Sequence, residues 1–394
     1  MKFKTLDDVD VEEQMVLLRV DINAPVVNGR VLDSPRFSAS AETIKELLKK
    51  KAMVAILAHQ GRKGDKDFLP LDQHAEILSK HVRQGVKYVD DLFGDHALEA
   101  LDALKKGQAI LLKNVREFDD ETKLQESRYH GWCKLFDLYV NDAFSVCHRK
   151  QGSVVIPPQY LPSVAGRSLE KELKALDHFD LSKWKGKGVF ILGGAKVDDY
   201  LPLFKFLERK KNVVVASGVL GNLFLVEKGY GLGYEKQWLE KEGYGKLLPE
   251  LKKFKKYSKQ MLLPEDFVLK NRREVSLEDA PYQEKIMDLG KKSIECILQE
   301  LENADIIFMK GPLGFAEIPE FSYGTVEVLK RISQLTKEKK IFSLLGGGHL
   351  STAIEEYKIP DNFSYTSLSG GALIAYLSGE KMPGLEALEK GTRC

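Results

Sequence analysis

Seven short stretches of this chain are apolar at almost every position: VLLRV (16–20), MVAILA (53–58), AILL (109–112), GVFIL (188–192), NVVVA (212–216), DIIFM (305–309) and IFSLL (341–345). A strand with one wet face alternates apolar and polar residues, so runs without alternation have no face to give to water and must be buried on both sides. Between them stand segments with the helical spacing of apolar residues, such as AETIKELLKKK at 41–51. Buried strands alternating with helices specify parallel sheets covered on both faces, a doubly wound α/β architecture.

A chain of 394 residues is too long for one ordinary hydrophobic core and is expected to form two domains. The break is placed near Pro157, Pro158 and Pro162. After it, SLEKELKALDHF (168–179) reads as a joining helix with Ser168 as its N-cap. The expectation is therefore two doubly wound parallel-sheet, Rossmann-like domains facing across a hinged cleft, at 1–165 and 166–375. The ending 376–394, with MPGLEALEKGTRC, is short and helical and is expected to pack back on the first domain.

Charge narrows the partners. Lys and Arg total 60 against 58 Asp and Glu, so no polyanion or membrane surface is indicated, and neither nucleic acid nor a membrane is expected as partner. The start MKFKTLDDVDVEEQ lacks an apolar core, and the most apolar long stretch, 212–226, is interrupted by Ser217, Gly218, Gly221 and Asn222. A cytoplasmic location is the expectation, as monomer or homodimer. Cys133, Cys147, Cys296 and Cys394 are scattered without CxxC spacing, which argues against a zinc site or a disulfide framework.

In open parallel sheets ligands bind beyond the carboxyl ends of the strands, so the residues following each apolar run carry the chemistry. In the first half these are mostly cationic. VLLRV leads into Asp21, Asn23 and Arg36; MVAILA into His59 and Arg62; AILL into Arg116; and LYVND into His148 and Arg149. Guanidinium groups pair with phosphate and carboxylate oxygens through two parallel hydrogen bonds, so this gathering predicts a pocket for a small, multiply anionic substrate. The second half has glycine instead: Gly193 and Gly194 with Lys196 close behind, Gly346 to Gly348 followed by His349, and Gly370 with Gly371. Glycines opening helices let backbone N–H groups approach phosphate oxygens, which predicts a nucleotide site. Neither GxxxxGK[ST] nor GxGxxG occurs, which weighs against a P-loop enzyme and a nicotinamide-dependent oxidoreductase. An anion site and a nucleotide site are what a small-molecule phosphotransferase requires.

The motifs that carry these residues resemble those of the phosphoglycerate kinases. RVDINAPVVNGRVLDSPR (19–36), AHQGRKG (58–64), KNVREF (113–118), YVNDAFSVCHR (139–149), LGGAKVDD (192–199), KGPLGFAE (310–317), GGGH (346–349) and TSLSGGA (366–372) follow in that family's order. RVDINAP, LDQHAEIL, LPSVAGRSLEKEL and GGGH are similar to its archaeal branch. The resemblance implies phosphoryl transfer from 1,3-bisphosphoglycerate to ADP, giving 3-phosphoglycerate and ATP, with Mg2+. By motif position it implies Asp21, Asn23, His59, Arg62, Arg116 and Arg149 as the triose-binding set, and Arg36 as a bridge to the transferring group. It implies Lys196, Gly347 and Gly370 beside that group, Gly194, Gly218, Gly346, Gly348 and His349 at the nucleotide, and Glu317 on its ribose.

Three positions depart from the family's pattern. Tyr200 stands where a second phosphate-contacting lysine is usual, and Lys310 replaces an asparagine, where its ammonium would return positive charge near the phosphates. His349 replaces an aspartate that contacts metal in many members, so no protein metal ligand is assigned. These departures motivate one alternative, a family member that binds nucleotide or triose without turnover.

Overall fold

The computed structural model describes residues 3–180 and 186–391; Cys394 lies outside the described residues. The chain divides into two compact units, one of residues 1–174 with 379–394 and one of residues 175–378.

The first unit contains β1 (Met15–Arg19), the hairpin pair β2 (Val26–Val27) and β3 (Arg30–Val31), β4 (Met53–Leu57), β5 (Val86–Val89), β6 (Ala109–Leu112), β7 (Leu138–Asn141) and β8 (Ser163–Ala165). Among the described residues its main sheet is six-stranded and wholly parallel, in the order β5-β6-β4-β1-β7-β8. Residues alternate between two cores as the pleat requires: Val16, Leu18, Val54 and Ile56 enter one, and Leu17, Ala55, Leu57 and Tyr139 the other. Both faces are therefore dry, as the unbroken apolar runs predict. The helix Pro383–Gly391 belongs to this unit, where Gly384 N–H donates to the Cys147 carbonyl at 2.9 Å.

The second unit contains β9 (Gly188–Leu192), β10 (Val213–Ala216), β11 (Met261–Leu262), β12 (Asp266–Leu269), β13 (Glu274–Ser276), β14 (Ile286–Leu289), β15 (Ile306–Lys310), β16 (Phe342–Gly346) and β17 (Tyr365–Ser367). Its six-stranded parallel sheet runs β11-β10-β9-β15-β16-β17, so the winding reverses between β9 and β15. Val189, Ile191, Ile307 and Met309 enter one core. On the other face, Phe190 stacks on Phe206 with ring centres 4.6 Å apart, and Phe308 meets Phe179 edge-on.

The structure departs from the sequence reading in two places. The antiparallel sheet β13-β12-β14 was not expected, because its strands are short and lie in the polar stretch around NRREVSLEDAPYQEK. In agreement with the sequence reading, the apolar stretch 212–226 breaks at Ser217 into β10 and the helix Gly218–Glu227, and no described helix is long and apolar enough to cross a membrane. Ser168 is not the N-cap of its helix, which spans Arg167–Asp177 and already includes it. The orphan donors at that helix start are met from β7's end instead: Asp142 Oδ1 accepts from Ser168 N–H at 2.7 Å and Leu169 N–H at 3.1 Å. A side chain from a distant segment does the work assigned to a local one.

Candidate functional site

In the first unit the loops that leave β1, β4 and β6 are stitched together by amide side chains. Gln60 Oε1 accepts from Ala24 N–H at 2.9 Å, and its Nε2 donates to the Ala24 and Asp67 carbonyls. Asn114 Nδ2 donates to the carbonyls of Gln60 and Leu69, while its Oδ1 caps the following turn by accepting from Arg116 N–H. Asn23 Oδ1 accepts from Gly61 N–H at 2.9 Å. Gly61 has φ +62° and lies so close to Asp67 that a Cβ would sit 2.6 Å from its backbone, so only glycine fits this crossing. The Gly61 carbonyl in turn accepts from Arg116 Nη1 at 2.5 Å.

This web holds a set of cations. Arg36 lies in the first turn of the helix Pro35–Lys49, where the helix dipole disfavours a positive charge, and its guanidinium forms an ion pair with Asp21. Burial lowers its pKa to about 10. Arg116 is also lowered to about 10, by burial first and then by Arg19 and Arg149. Arg149 is lowered by burial and by Arg62. His59 is held well below the ordinary histidine value by burial, and then by Arg19, Arg116, Arg36 and Arg149. The predicted residues Asp21, Asn23, Arg36, His59, Arg62, Arg116 and Arg149 thus form one mutually interacting group.

The sequence reading omitted Arg19. It ends β1 and is 0% exposed, with Nε donating to Ser153 Oγ at 3.0 Å, Nη1 to the Val20 carbonyl at 2.5 Å, and Nη2 to His59 Nδ1 at 3.2 Å. Arginine has no acceptor, so His59 Nδ1 must receive this bond and the neutral ring carries its proton on Nε2. Behind it, burial raises the pKa of the Glu121 carboxyl, opposed by Arg19. An arginine inside an otherwise apolar strand run was the available signal, because a buried charge requires partners.

In the second unit the sequence-predicted glycines surround the reversal point of the winding. Gly193 N–H donates to the Lys310 carbonyl and Gly194 N–H to the Pro312 carbonyl, at 2.9 and 2.8 Å, which locks the ends of β9 and β15 together. Gly218, at φ +54°, opens its helix against Gly194, whose backbone N would be 2.8 Å from an added Cβ. Lys196 is exposed just beyond. Gly346 ends β16; Gly347, with φ +111°, is the N-cap of the helix Gly348–Glu356; Gly370, with φ +54°, precedes the helix Gly371–Ser378. Both helix starts follow parallel strands, the arrangement that offers N–H groups to anions. His349 and Glu317 are exposed, in the first turn of the former helix and in the loop after β15.

Two of the departing residues pack against each other here. Tyr200 is buried, and its hydroxyl donates to the Gly193 carbonyl at 2.5 Å. Lys310 ends β15 with its ammonium 5.8 Å from the Tyr200 ring centre.

Residues 6–380 match the family model described as phosphoglycerate kinase. A phosphoglycerate kinase of Methanopyrus kandleri is 36% identical, with 98% of this chain and 97% of that one aligned. One of Archaeoglobus fulgidus is 37% identical over 98% of this chain and 96% of its own length. The crystal structure of phosphoglycerate kinase from Pyrococcus horikoshii superposes with a TM-score of 0.90 at 33% identity, covering 99% of each chain. That from Coxiella burnetii gives 0.77 at 28% identity, covering 98% of each. Alike in sequence and in backbone along almost its whole length, the chain belongs to the phosphoglycerate kinase family.

Proposed function

We propose that the chain catalyses reversible phosphoryl transfer between the carboxyl phosphate of 1,3-bisphosphoglycerate and ADP, giving 3-phosphoglycerate and ATP. The observation that carries this reading is the gathering of Arg36, Arg116 and Arg149 around a neutral His59, with Arg62 acting on Arg116 and Arg149 and Asp21 the acid paired with Arg36. Burial lowers the pKa of Arg36, Arg116 and Arg149, the last two also through neighbouring arginines, and a phosphorylated carboxylic acid would supply this cationic group with negative charge. His59 offers Nε2–H as a neutral donor, which suits a carboxyl or phosphate oxygen without adding a further positive charge. Asn23 and Asp21 fix the loop and the guanidinium that face this ligand. In this reading Arg36 neutralises charge that develops on the transferring group.

Lys196, Gly347 and Gly370 act on the nucleotide side of the transfer, with Gly194, Gly218, Gly346, Gly348, His349 and Glu317 around the nucleotide. The reversed winding at β9 and β15 and the helix starts at Gly348 and Gly371 support this placement. Among the described residues no group of three His, Cys, Asp or Glu side chains is arranged to hold a metal. In this reading Mg2+ would be carried on nucleotide phosphates and water, where it would offset phosphate charge. A cytoplasmic setting belongs to this reading, and the free state of Cys133, Cys147 and Cys296 supports it.

A coupled assay of ATP-dependent phosphorylation of 3-phosphoglycerate tests the proposal. Turnover is expected. A folded chain that binds ATP and 3-phosphoglycerate but yields no ADP would overturn it and leave a binding protein.

A further inference from the structure

Lys310 is 6% exposed, yet its ammonium has few partners. It donates to the Gly370 carbonyl at 3.1 Å, and Asp199 Oδ2 stands 3.8 Å away, beyond a hydrogen bond. An ammonium carries three donors, and a charge taken out of water with so little in return is costly. Its place in the fold is specific. It is the last residue of β15, beside β9 where the winding reverses, the point at which doubly wound sheets take their ligands. Its stem runs beside Gly346 at the end of β16, where an added Cβ would lie in ordinary contact with Lys310 Cγ and Cδ at 3.7 Å.

We infer that Lys310 supplies a cationic contact to the phosphate chain of the nucleotide, acting beside Lys196 and holding the Gly370 turn in place. The inference rests on the phosphotransferase reading for the identity of the anion. The groups facing the ammonium are Asp199, Lys196 and the Tyr200 ring. Burial is the main reason its pKa falls to about 8, with Lys196 lowering it further and Asp199 opposing. A bound phosphate would restore the charge balance that Asp199 alone does not. A purely structural lysine would need only the Gly370 bond.

The test is calorimetric binding of ADP with magnesium, and separately of 3-phosphoglycerate, to the full chain and to Lys310→Met. The variant should bind ADP roughly 10- to 100-fold more weakly, the range of a charge-assisted hydrogen bond, with 3-phosphoglycerate binding unchanged. Wild-type affinity for ADP should fall as pH rises from about 7.5 to about 9.5, because the free ammonium loses its proton there, and the variant should lack this step. Equal ADP affinity in both proteins would reduce Lys310 to a strut for Gly370. If the variant does not fold, the wild-type series decides, and an ADP affinity flat across that pH range overturns the inference. Absence of 3-phosphoglycerate phosphorylation alongside intact, pH-dependent ADP binding would remove the enzymatic reading while leaving this contact standing.

Discussion

The Arg19 guanidinium meets His59 Nδ1 at 3.2 Å, and this one bond fixes the tautomer of a histidine that burial first, and the surrounding arginines next, keep neutral. Arg19→Lys keeps the positive charge but not the planar fork that also reaches Ser153 and the Val20 carbonyl. Each buried partner left unsatisfied costs roughly 1–3 kcal/mol, so denaturant unfolding should show a loss of at least that size. Affinity for 3-phosphoglycerate should fall with it; unchanged stability would contradict the assignment.

His74 gives a pH signature. Its Nε2 donates to Gln60 Oε1 at 2.9 Å, and burial lowers its pKa to about 4. A histidine depressed in the folded state contributes stability that is present above its unfolded value near 6.5 and is lost as pH falls toward about 4. Burial depresses His59 too, whereas Asp142 and Asp288, raised by burial to about 7, favour the fold as pH falls. The difference between wild type and His74→Gln isolates the one group. It should shrink by up to about 3 kcal/mol between about pH 6.5 and about pH 4 in urea titrations.

Asp142 caps a helix from a distance, with a carboxyl whose pKa burial raises to about 7. Asp142→Asn keeps an acceptor for Ser168 and Leu169, and should be nearly neutral at acid pH. As pH rises from about 4 to about 7, wild type should lose stability relative to this variant, because the unfolded carboxyl ionises first. Asp142→Ala removes the cap and should cost roughly 1–2 kcal/mol in thermal unfolding.

Arg36→Ala should lower kcat by about 10³-fold if the guanidinium acts on the transferring group, the scale of arginine donors in phosphoryl transfer. A raised KM for 3-phosphoglycerate with kcat intact would instead place Arg36 with the residues that bind the ground state. Steady-state kinetics in both substrates separates the outcomes.

Seven strands of the two parallel sheets, β1, β4, β6, β9, β10, β15 and β16, were legible because burial on two faces leaves an apolar run that no surface strand shows, and the residues after several of these runs pointed to the candidate site. VLLRV announced β1 and concealed Arg19, since the run's apolar character drew attention from its one charge. β11 has two residues and β5 a partly exposed pattern, so neither rises above its surroundings. The Asp142 cap was invisible because capping patterns in sequence describe neighbours, and Asp142 is 26 residues from Ser168. Gln60 and Asn114 were equally hidden: an amide side chain declares nothing about which loop it will tie.

The helix Pro383–Gly391 adds a condition on how the molecule is made. Gly384 lies against Val154 and Cys147, and Gly391 against Ser163 and Pro158, so the first unit is finished by a segment that follows the second unit in the chain. On the ribosome, the second unit has all its residues before the first does. A gene truncated after residue 174 would leave this helix's seat bare, and supplying the helix as a separate peptide should mend such a fragment.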